Sequence, residues 1–456
     1  MGIQNRHKGL FVSKGTTILT AKPFAYVLRS LYHNERCDHC LQSSKHRTNR
    51  CDYCFKSGKL FRCSACQYVY YCNQSCQQGS WPVHSTECAN LKRVSPKIVP
   101  DMARLMARII IKLNQGGSDE IEYYSKTKFR KFKDLMSHYS DIKKDEKKME
   151  HFMFLCGVLF GFLGDGPILN SAELMGIYGR ICINSFNIFD LDMNSIGVGI
   201  YLAPSIVDHS CIPNAVATFE GTTISIRTIK DLPCLDWSQI RISYIDVLKT
   251  TKERRTELQS SYYFWCNCKK CEEPEPMVEA AKCPNKLCKT PCFLDIDSCS
   301  ECNTKLSEKF KETFNEVSSF TAHHLQNMKN MAYLDVSKMC LEKQEDVLYS
   351  LNLQHVQTLQ TAFDSSISLE HWEEAEYYAK KLITGYLVYY GEIHPLTGLL
   401  YLMIGKIQLY LEKPKQAFEA LKKANGILAI THGEQHTLIR ENLKPLLYQA
   451  TIEGLK

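Results

Sequence analysis

The sequence has little that would place it in a membrane or leave it unfolded. Its longest apolar stretch, 152–163, is far shorter than the roughly 20 residues that a membrane-spanning helix needs. The first ten residues (MGIQNRHKGL) lack the apolar core of a signal peptide, so we expect none. With 44% hydrophobic and 23% charged residues, the composition excludes a largely disordered or collagen-like chain. We therefore expect a soluble intracellular protein whose 456 residues form roughly two to four domains.

Cysteine, by contrast, is abundant, with 22 residues. Without a secretory signal, cysteines at this density more often hold metal than form disulfides. Charge is unevenly distributed: residues 1–98 carry 15 Lys and Arg against 4 Asp and Glu, so a chain of net charge +7 has +11 in this part and −4 in the rest. A basic face of this kind suits an acidic partner such as nucleic acid or a nucleosome surface, but a lysine-rich soluble surface explains it equally well.

The densest group of cysteines lies between residues 51 and 88, with the spacing Cx2C, Cx2C, Cx3C and Hx3C. Structural Zn2+ takes four sulfur or nitrogen ligands, so eight ligands in 38 residues predict two zinc sites. The segment has few aliphatic residues, so metal must supply its folding energy. A second pair, Cys37 and Cys40, is an alternative first pair, but its longer gap to Cys63 disfavours it. The predicted ligands are Cys51, Cys54, Cys63, Cys66, Cys72, Cys76, His84 and Cys88.

This order of ligands, with Trp81-Pro82 just before the histidine, resembles a MYND zinc finger. The resemblance implies a recognition module that binds proline-rich peptides and has no catalytic role. It also implies that the two sites interleave. One zinc would be held by Cys51, Cys54, Cys72 and Cys76, and the other by Cys63, Cys66, His84 and Cys88.

A second constellation begins with DHSCIPN at 208–214, which resembles the NHSCxPN signature of SET-domain methyltransferases. About fifty residues later, WCNCKKC at 265–271 resembles their post-SET zinc cluster. Two further segments fit the same pattern: ICINSF at 181–186 resembles the strand whose Asn contacts the cofactor, and IRISY at 240–244 resembles the strand that ends in the channel tyrosine. The resemblance implies one zinc held by Cys211, Cys266, Cys268 and Cys271.

A MYND finger inside a split SET domain resembles the SET-and-MYND (Smyd) lysine methyltransferases, and the resemblance covers the whole chain. It implies an α+β multidomain fold with small, mostly antiparallel sheets and a helical, tetratricopeptide-like C-terminal domain. The implied regions are the N-terminal part of the SET domain at 1–50, the finger at 51–88, a helical insert at 95–180, the SET core at 181–265, a post-SET zinc region at 266–305 and the C-terminal domain at 306–456.

The same resemblance implies an S-adenosylmethionine-dependent enzyme that methylates lysines of histones or other proteins. Tyr244 would be the catalytic hydroxyl, and Tyr262 and Phe264 would line the substrate channel with it. Asp208 stands where the family has Asn, and residues 236–239 replace a Gly-Glu-Glu turn, so a weakly active or non-catalytic adaptor is the alternative. The implied cofactor-binding residues are Arg6, His7, Lys8, His138, Asn184, Asp208, His209, Tyr244 and Phe264.

The resemblance further implies a monomer of the nucleus and cytoplasm, with chaperones as candidate partners of the C-terminal helices. The basic charge without a recognisable base-reading helix predicts only weak, non-specific nucleic-acid binding. Beyond the post-SET cluster the chain has a further run of five cysteines, four of which could form a zinc site, and a loop without metal is the alternative. The five are Cys283, Cys288, Cys292, Cys299 and Cys302. We therefore expect three zinc sites, or four if this run also binds zinc. Its predicted ligands are Cys283, Cys288, Cys299 and Cys302.

Overall fold

The structure is a computed structural model that describes residues 11–41, 43, 60–164, 166, 169–328 and 334–455. Within these ranges no helix is both long and apolar enough to cross a bilayer. The strands are β1 Thr17–Ala21, β2 Ala25–Leu28, β3 Phe61–Arg62, β4 Tyr70–Tyr71, β5 Glu122–Tyr123, β6 Phe129–Arg130, β7 Ser185–Phe189, β8 Ser195–Ile200, β9 Asp208–His209, β10 Ala215–Glu220, β11 Thr223–Thr228, β12 Arg241–Ile242, β13 Ala281–Lys282 and β14 Pro291–Cys292.

The α-helices are interspersed with these strands in the first two thirds of the chain, and in the last third they follow one another without strands between them in the described residues. They are α1 Gln74–Val94, α2 Asp101–Asn114, α3 Tyr139–Ile142, α4 Glu146–Leu163, α5 Ser171–Asn184, α6 Thr251–Tyr262, α7 Lys269–Glu272, α8 Glu308–Asn327, α9 Leu334–Gln344, α10 Leu353–Ser368, α11 Trp372–Tyr389, α12 Pro395–Tyr410, α13 Pro414–Thr431 and α14 Lys444–Gly454.

The two larger sheets combine the start of the chain with its middle. β1 pairs with β11 in the order β1-β11-β10, and β2 pairs with β8 in the order β2-β8-β7, all antiparallel. Successive side chains of a strand point to opposite faces of its sheet, so alternate residues are buried in the core. Examples are Val27, Ile188 and Ile226. The prediction of an α+β protein with small, mostly antiparallel sheets is confirmed.

One pair of short strands is parallel and matters for the site. β9 runs beside β12, with Asp208 opposite Arg241 and His209 opposite Ile242. This pairing places the DHSC segment next to the end of the IRISY segment. Parallel strands need a long connection, and here β10, β11 and a loop supply it.

The last third of the chain is helical in the described residues, as predicted. Neighbouring helices pack closely where small residues allow it. A Cβ added at Gly398 of α12 would lie 2.7 Å from Leu428 of α13. One added at Gly405 would lie 2.5 Å from Leu421. Glycine therefore lets α12 and α13 approach more closely than larger residues would.

Candidate active site and metal centres

His209 and Tyr244 are joined directly by the parallel strand pair. The Tyr244 backbone N–H donates to His209 Nδ1 at 3.0 Å. Because Nδ1 accepts, the ring proton is on Nε2, which lies 3.3 Å from the Cys211 sulfur. Burial lowers the pKa of His209 to about 4, so its ring is neutral at physiological pH.

Four aromatic side chains form a contiguous group, called the aromatic cluster below: His209, Tyr244, Tyr262 and Phe264. Ring centroids are 5.0 Å apart for Tyr244 and Tyr262, 5.9 Å for His209 and Phe264, and 6.4 Å for Tyr262 and Phe264. The left-handed residue Tyr263, at φ 60°, ends α6 between two members of the cluster. The structure thus brings the predicted channel residues together.

The hydroxyl group of Tyr244 has a defined partner. It donates to the Val207 backbone carbonyl at 2.5 Å. Burial, followed by the nearby Asp208 carboxylate and Tyr262, raises the pKa of Tyr244, so the hydroxyl keeps its proton. With that proton committed to Val207, the phenolic oxygen can still accept a hydrogen bond.

Two predicted cofactor residues lie on the side of the cluster marked by Tyr263. The Asn184 side-chain amide donates to the carbonyl of Met136 at 2.8 Å, which fixes the loop that carries His138. The His138 ring lies 5.4 Å from the ring of Tyr263, and its Nδ1 lies 2.9 Å from the Asp141 carboxylate. His138 and Asn184 therefore lie near the C-terminal end of α6. This position is required if they are to form one cofactor pocket with the aromatic cluster.

Asp208, another predicted cofactor residue, faces solvent and not the aromatic cluster. Its side chain is 74% exposed, and its carboxylate lies 3.9 Å from the Arg241 guanidinium. The negative charge is therefore solvated and partly balanced. The other predicted cofactor residues, Arg6, His7 and Lys8, lie outside the described residues.

Among the residues that the structure describes, candidate metal ligands occur in four groups, and in each group the ligand atoms lie within 4.8 Å of one another. Tetrahedral ligands about 2.3 Å from a zinc ion are about 3.8 Å apart, so the donor sets fit Zn2+. Three groups have the predicted members, and the first differs from prediction. The groups are Cys37, Cys40, Cys72 and Cys76; Cys63, Cys66, His84 and Cys88; Cys211, Cys266, Cys268 and Cys271; and Cys283, Cys288, Cys299 and Cys302.

The preference for Cys51 and Cys54 as the first pair of the finger is corrected. Cys37 and Cys40 join Cys72 and Cys76, with the Cys40 and Cys72 sulfurs 3.5 Å apart, and these four thiols complete a tetrahedral set. The gap to Cys63 was a poor guide because the first pair meets the later pair, not Cys63. The displaced residues, Cys51 and Cys54, lie outside the described residues.

A buried ion cluster, missed by the sequence analysis, connects the two groups of the finger to α2. Arg104 lies 3.1 Å from Asp38 and 2.6 Å from Glu87, and Arg108 lies 3.0 Å and 2.6 Å from the same carboxylates. The two guanidinium groups lower the pKa of both carboxyls. Asp38 sits between two ligand cysteines, and Glu87 lies 3.6 Å from the ligand His84. The available signal was two arginines four residues apart, surrounded by the apolar residues of 102–111.

The comparisons with known proteins agree with this geometry. A family model described as "MYND finger" matches residues 37–88, which includes the Cys37 pair. Mouse "Histone-lysine N-methyltransferase SMYD3" is 27% identical over 94% of this chain and 90% of the relative. "Histone-lysine N-methyltransferase ASHR1" of Arabidopsis thaliana is 28% identical over 100% and 96%, and human "N-lysine methyltransferase SMYD2" is 26% identical over 94% and 92%. The chain therefore contains a MYND finger and is similar over nearly its full length to SET- and MYND-domain (Smyd-type) protein-lysine methyltransferases.

Proposed function

We propose that this chain is a protein-lysine N-methyltransferase that uses S-adenosylmethionine and carries out methyl transfer at the aromatic cluster. The observation that carries this proposal is the position of Tyr244. Its hydroxyl is anchored to Val207, and its ring lies 5.0 Å from that of Tyr262.

The residues around the cluster suit this cofactor. When bound, S-adenosylmethionine supplies a methyl group on a sulfonium cation, and aromatic faces attract cations. Phe264 and the neutral His209 offer such faces, while Asn184 holds the neighbouring loop that carries His138. Asp208 serves through its backbone in β9, since its carboxylate is largely exposed.

The substrate lysine must react as a neutral amine, although its unperturbed pKa is about 10.4. A channel lined by Tyr244, Tyr262 and Phe264 desolvates the ammonium group and lowers its pKa. The Tyr244 oxygen accepts a hydrogen bond from the amine N–H, which aims the nitrogen lone pair at the methyl carbon.

The metal centres support recognition and the pocket. Four protein ligands leave no coordination position for a catalytic water, so zinc at the finger and at the post-SET group is structural. Cys211 follows β9, whereas Cys266 and Cys271 follow α6, and their sulfurs lie 4.0 Å and 3.6 Å from that of Cys211. Zinc at this group fixes Phe264 relative to His209.

The partners follow from the other regions. The substrates are lysines of histones or other proteins, and the finger takes proline-rich peptides near Trp81, whose side chain is exposed. The C-terminal helices form a tetratricopeptide-like array for a protein partner such as a chaperone. The split SET domain comprises the sheets of β1, β2 and β7–β12, in a monomer of nucleus and cytoplasm.

Isothermal titration of the zinc-replete full chain with S-adenosylmethionine and S-adenosylhomocysteine tests the proposal. We expect micromolar binding of both. A Tyr201→Phe variant, which loses a buried hydroxyl outside the aromatic cluster, should bind equally well. If the folded, metal-loaded protein binds neither compound, the enzyme proposal fails and the adaptor alternative, tested with proline-rich peptides, takes its place.

A further inference from the structure

The second half of the post-SET zinc region, residues 283–302, is organised around four sulfur atoms. The Cys283 and Cys302 sulfurs are 3.5 Å apart, and those of Cys288 and Cys299 are 3.8 Å apart. All four lie within 4.8 Å of one another. These separations match the roughly 3.8 Å between sulfurs of a tetrahedral zinc site.

The backbone around Cys299 and Cys302 adds an independent observation. The N–H of Asn303 donates to the Cys299 carbonyl at 3.0 Å, and Asn303 is left-handed at φ 54°. This tight turn places the thiols of Cys299 and Cys302 on the same side of the backbone, in one group of sulfurs. The Cys302 sulfur also lies 3.1 Å from the Thr304 hydroxyl, a contact that suits a thiolate.

The same turn occurs at the two Cx2C pairs of the finger that lie in the described residues. Gln67, at φ 55°, donates to the Cys63 carbonyl at 3.0 Å, and Leu41, at φ 60°, donates to the Cys37 carbonyl at 2.9 Å. Left-handed backbone is uncommon for residues other than glycine, so three repetitions at Cx2C pairs indicate a common cause. A metal-binding turn is that cause.

The segment is also attached to the helical part of the chain. Lys282 donates to the Val347 carbonyl at 2.9 Å, and Tyr349 donates to the Ala280 carbonyl at 3.1 Å. Residues 280–282 thus pair with 347–349, just before α10. Buried Cys283 and Cys299 pack in one cluster with residues of α8 and of the segment before α10, namely Phe314, Val317, Val347 and Leu348.

Few other interactions order this segment. Within residues 283–306 the regular structure comprises the two-residue strand β14 and the isolated bridge between Ser298 and Lys305. So short a stretch of pairing does not order a loop of this length without a further constraint.

We propose that Cys283, Cys288, Cys299 and Cys302 bind a fourth Zn2+ ion, and that this ion holds the start of the helical domain against the post-SET region. The site is separate from the proposed methyl transfer, and its test does not depend on activity. Cys292 provides a matched control because it is as buried as Cys299, lies in the same apolar cluster and contacts Cys283 and Cys299, but is not a member of the four-sulfur group.

Native mass spectrometry of the purified full chain measures the metal directly. We expect four zinc ions in the unaltered protein, three in Cys299→Ser/Cys302→Ser and four in Cys292→Ser. Three ions in the unaltered protein overturn the site, and so does a double variant that loses none. The count on the unaltered chain decides the question even if the double variant does not fold.

Hydrogen–deuterium exchange tests the second half of the proposal. In the double variant we expect the amides of Lys282 and Tyr349 to exchange at least tenfold faster. The Ser210 amide, bonded to Ile242 in the SET region, should be unchanged. Loss of one zinc with unaltered exchange at Lys282 and Tyr349 contradicts the role in holding the helical domain.

Discussion

The rings of Tyr244 and Tyr262 lie 5.0 Å apart at an interplanar angle of 47°. One follows β12 and the other ends α6, so two separate elements form the walls of the proposed channel. The Tyr244 hydroxyl is anchored to the Val207 carbonyl. This arrangement gives a lysine amine an apolar passage that contains a fixed acceptor oxygen.

Replacement of Tyr244 by phenylalanine removes that oxygen while it preserves the ring. We expect kcat to fall about 100-fold or more, the usual effect of removing one group that stabilises or orients the reacting atoms. Cofactor affinity should stay within about twofold, because the ring remains. Single-turnover methyl transfer and titration calorimetry measure the two effects, with Tyr201→Phe as the control. A Tyr244→Phe enzyme with unaltered kcat would refute the assigned role.

Loss of the post-SET zinc should weaken cofactor binding. Cys268→Ser removes one of its four ligands, and we expect one zinc fewer per chain and a cofactor Kd raised at least tenfold. The reason is that Phe264 and His209 lose their fixed separation. Cys234→Ser, which alters a thiol outside the four groups, should change neither quantity. Normal affinity in a zinc-depleted Cys268→Ser protein would contradict this explanation.

The buried ion cluster predicts a large effect on stability. Arg104→Ala leaves Asp38 and Glu87 with a single buried guanidinium partner, Arg108, in this cluster. Breaking such a buried pair costs about 3–5 kcal/mol of unfolding free energy. Urea unfolding and zinc-release measurements should show the loss together with easier release of the finger metals.

A surface variant is the control for this change. Lys97→Ala removes a positive charge from an exposed position after α1, and it should change the unfolding free energy by less than about 0.5 kcal/mol. Equal stabilities of Arg104→Ala and Lys97→Ala would show that the ion cluster does not support the fold.

Two histidines make the contact between the C-terminal helices and the SET region sensitive to acid. His436 Nε2 donates to the Phe219 carbonyl at 3.0 Å, and its ring lies 4.9 Å from that of His432. Burial lowers the pKa of His432 to about 3 and also lowers that of His436. Arg227 nearby acts in the same direction, whereas Glu220 opposes it at His436.

The sign of the effect follows from proton binding. Below pH of about 6.5 the unfolded chain binds protons that the folded chain does not, so stability declines as pH falls from there towards 3. The slope is at most about 1.4 kcal/mol per pH unit for each histidine. The stability advantage of the unaltered protein over His432→Asn should therefore shrink between pH 7.5 and about 5.5 in denaturant titrations. Parallel pH profiles would contradict the prediction.

The sequence predicted the members of three of the four ligand groups because metal-binding motifs have fixed spacing. The DHSC and CNCKKC segments indicated Cys211 as the fourth post-SET ligand, and the structure gathers those four thiols. The length of the gap to Cys63 chose the wrong first pair in the finger, because that gap does not reveal which Cx2C pair reaches Cys72 and Cys76. The burial of Asp38 between Cys37 and Cys40, which favours that pair, depends on a helix that follows much later in the chain.

Other features depend on contacts between distant segments. The anchor of Tyr244 is a backbone carbonyl, which any residue at position 207 would offer, so no motif marks it. Arg104 and Arg108 read as polar positions of an amphipathic helix, although both are at most 5% exposed. Such pairings arise from tertiary packing, and residue periodicity does not encode them.

Transfer of a labelled methyl group tests the central claim most directly. The zinc-replete full chain would be incubated with tritiated S-adenosylmethionine and a panel of histones and lysine-rich proteins, and modified residues would be located by mass spectrometry. The account predicts methylation at the ε-nitrogen of lysine by the unaltered protein and by Tyr201→Phe, and a loss of about 100-fold or more in Tyr244→Phe. Equal labelling by Tyr244→Phe, or transfer to residues other than lysine, would contradict it.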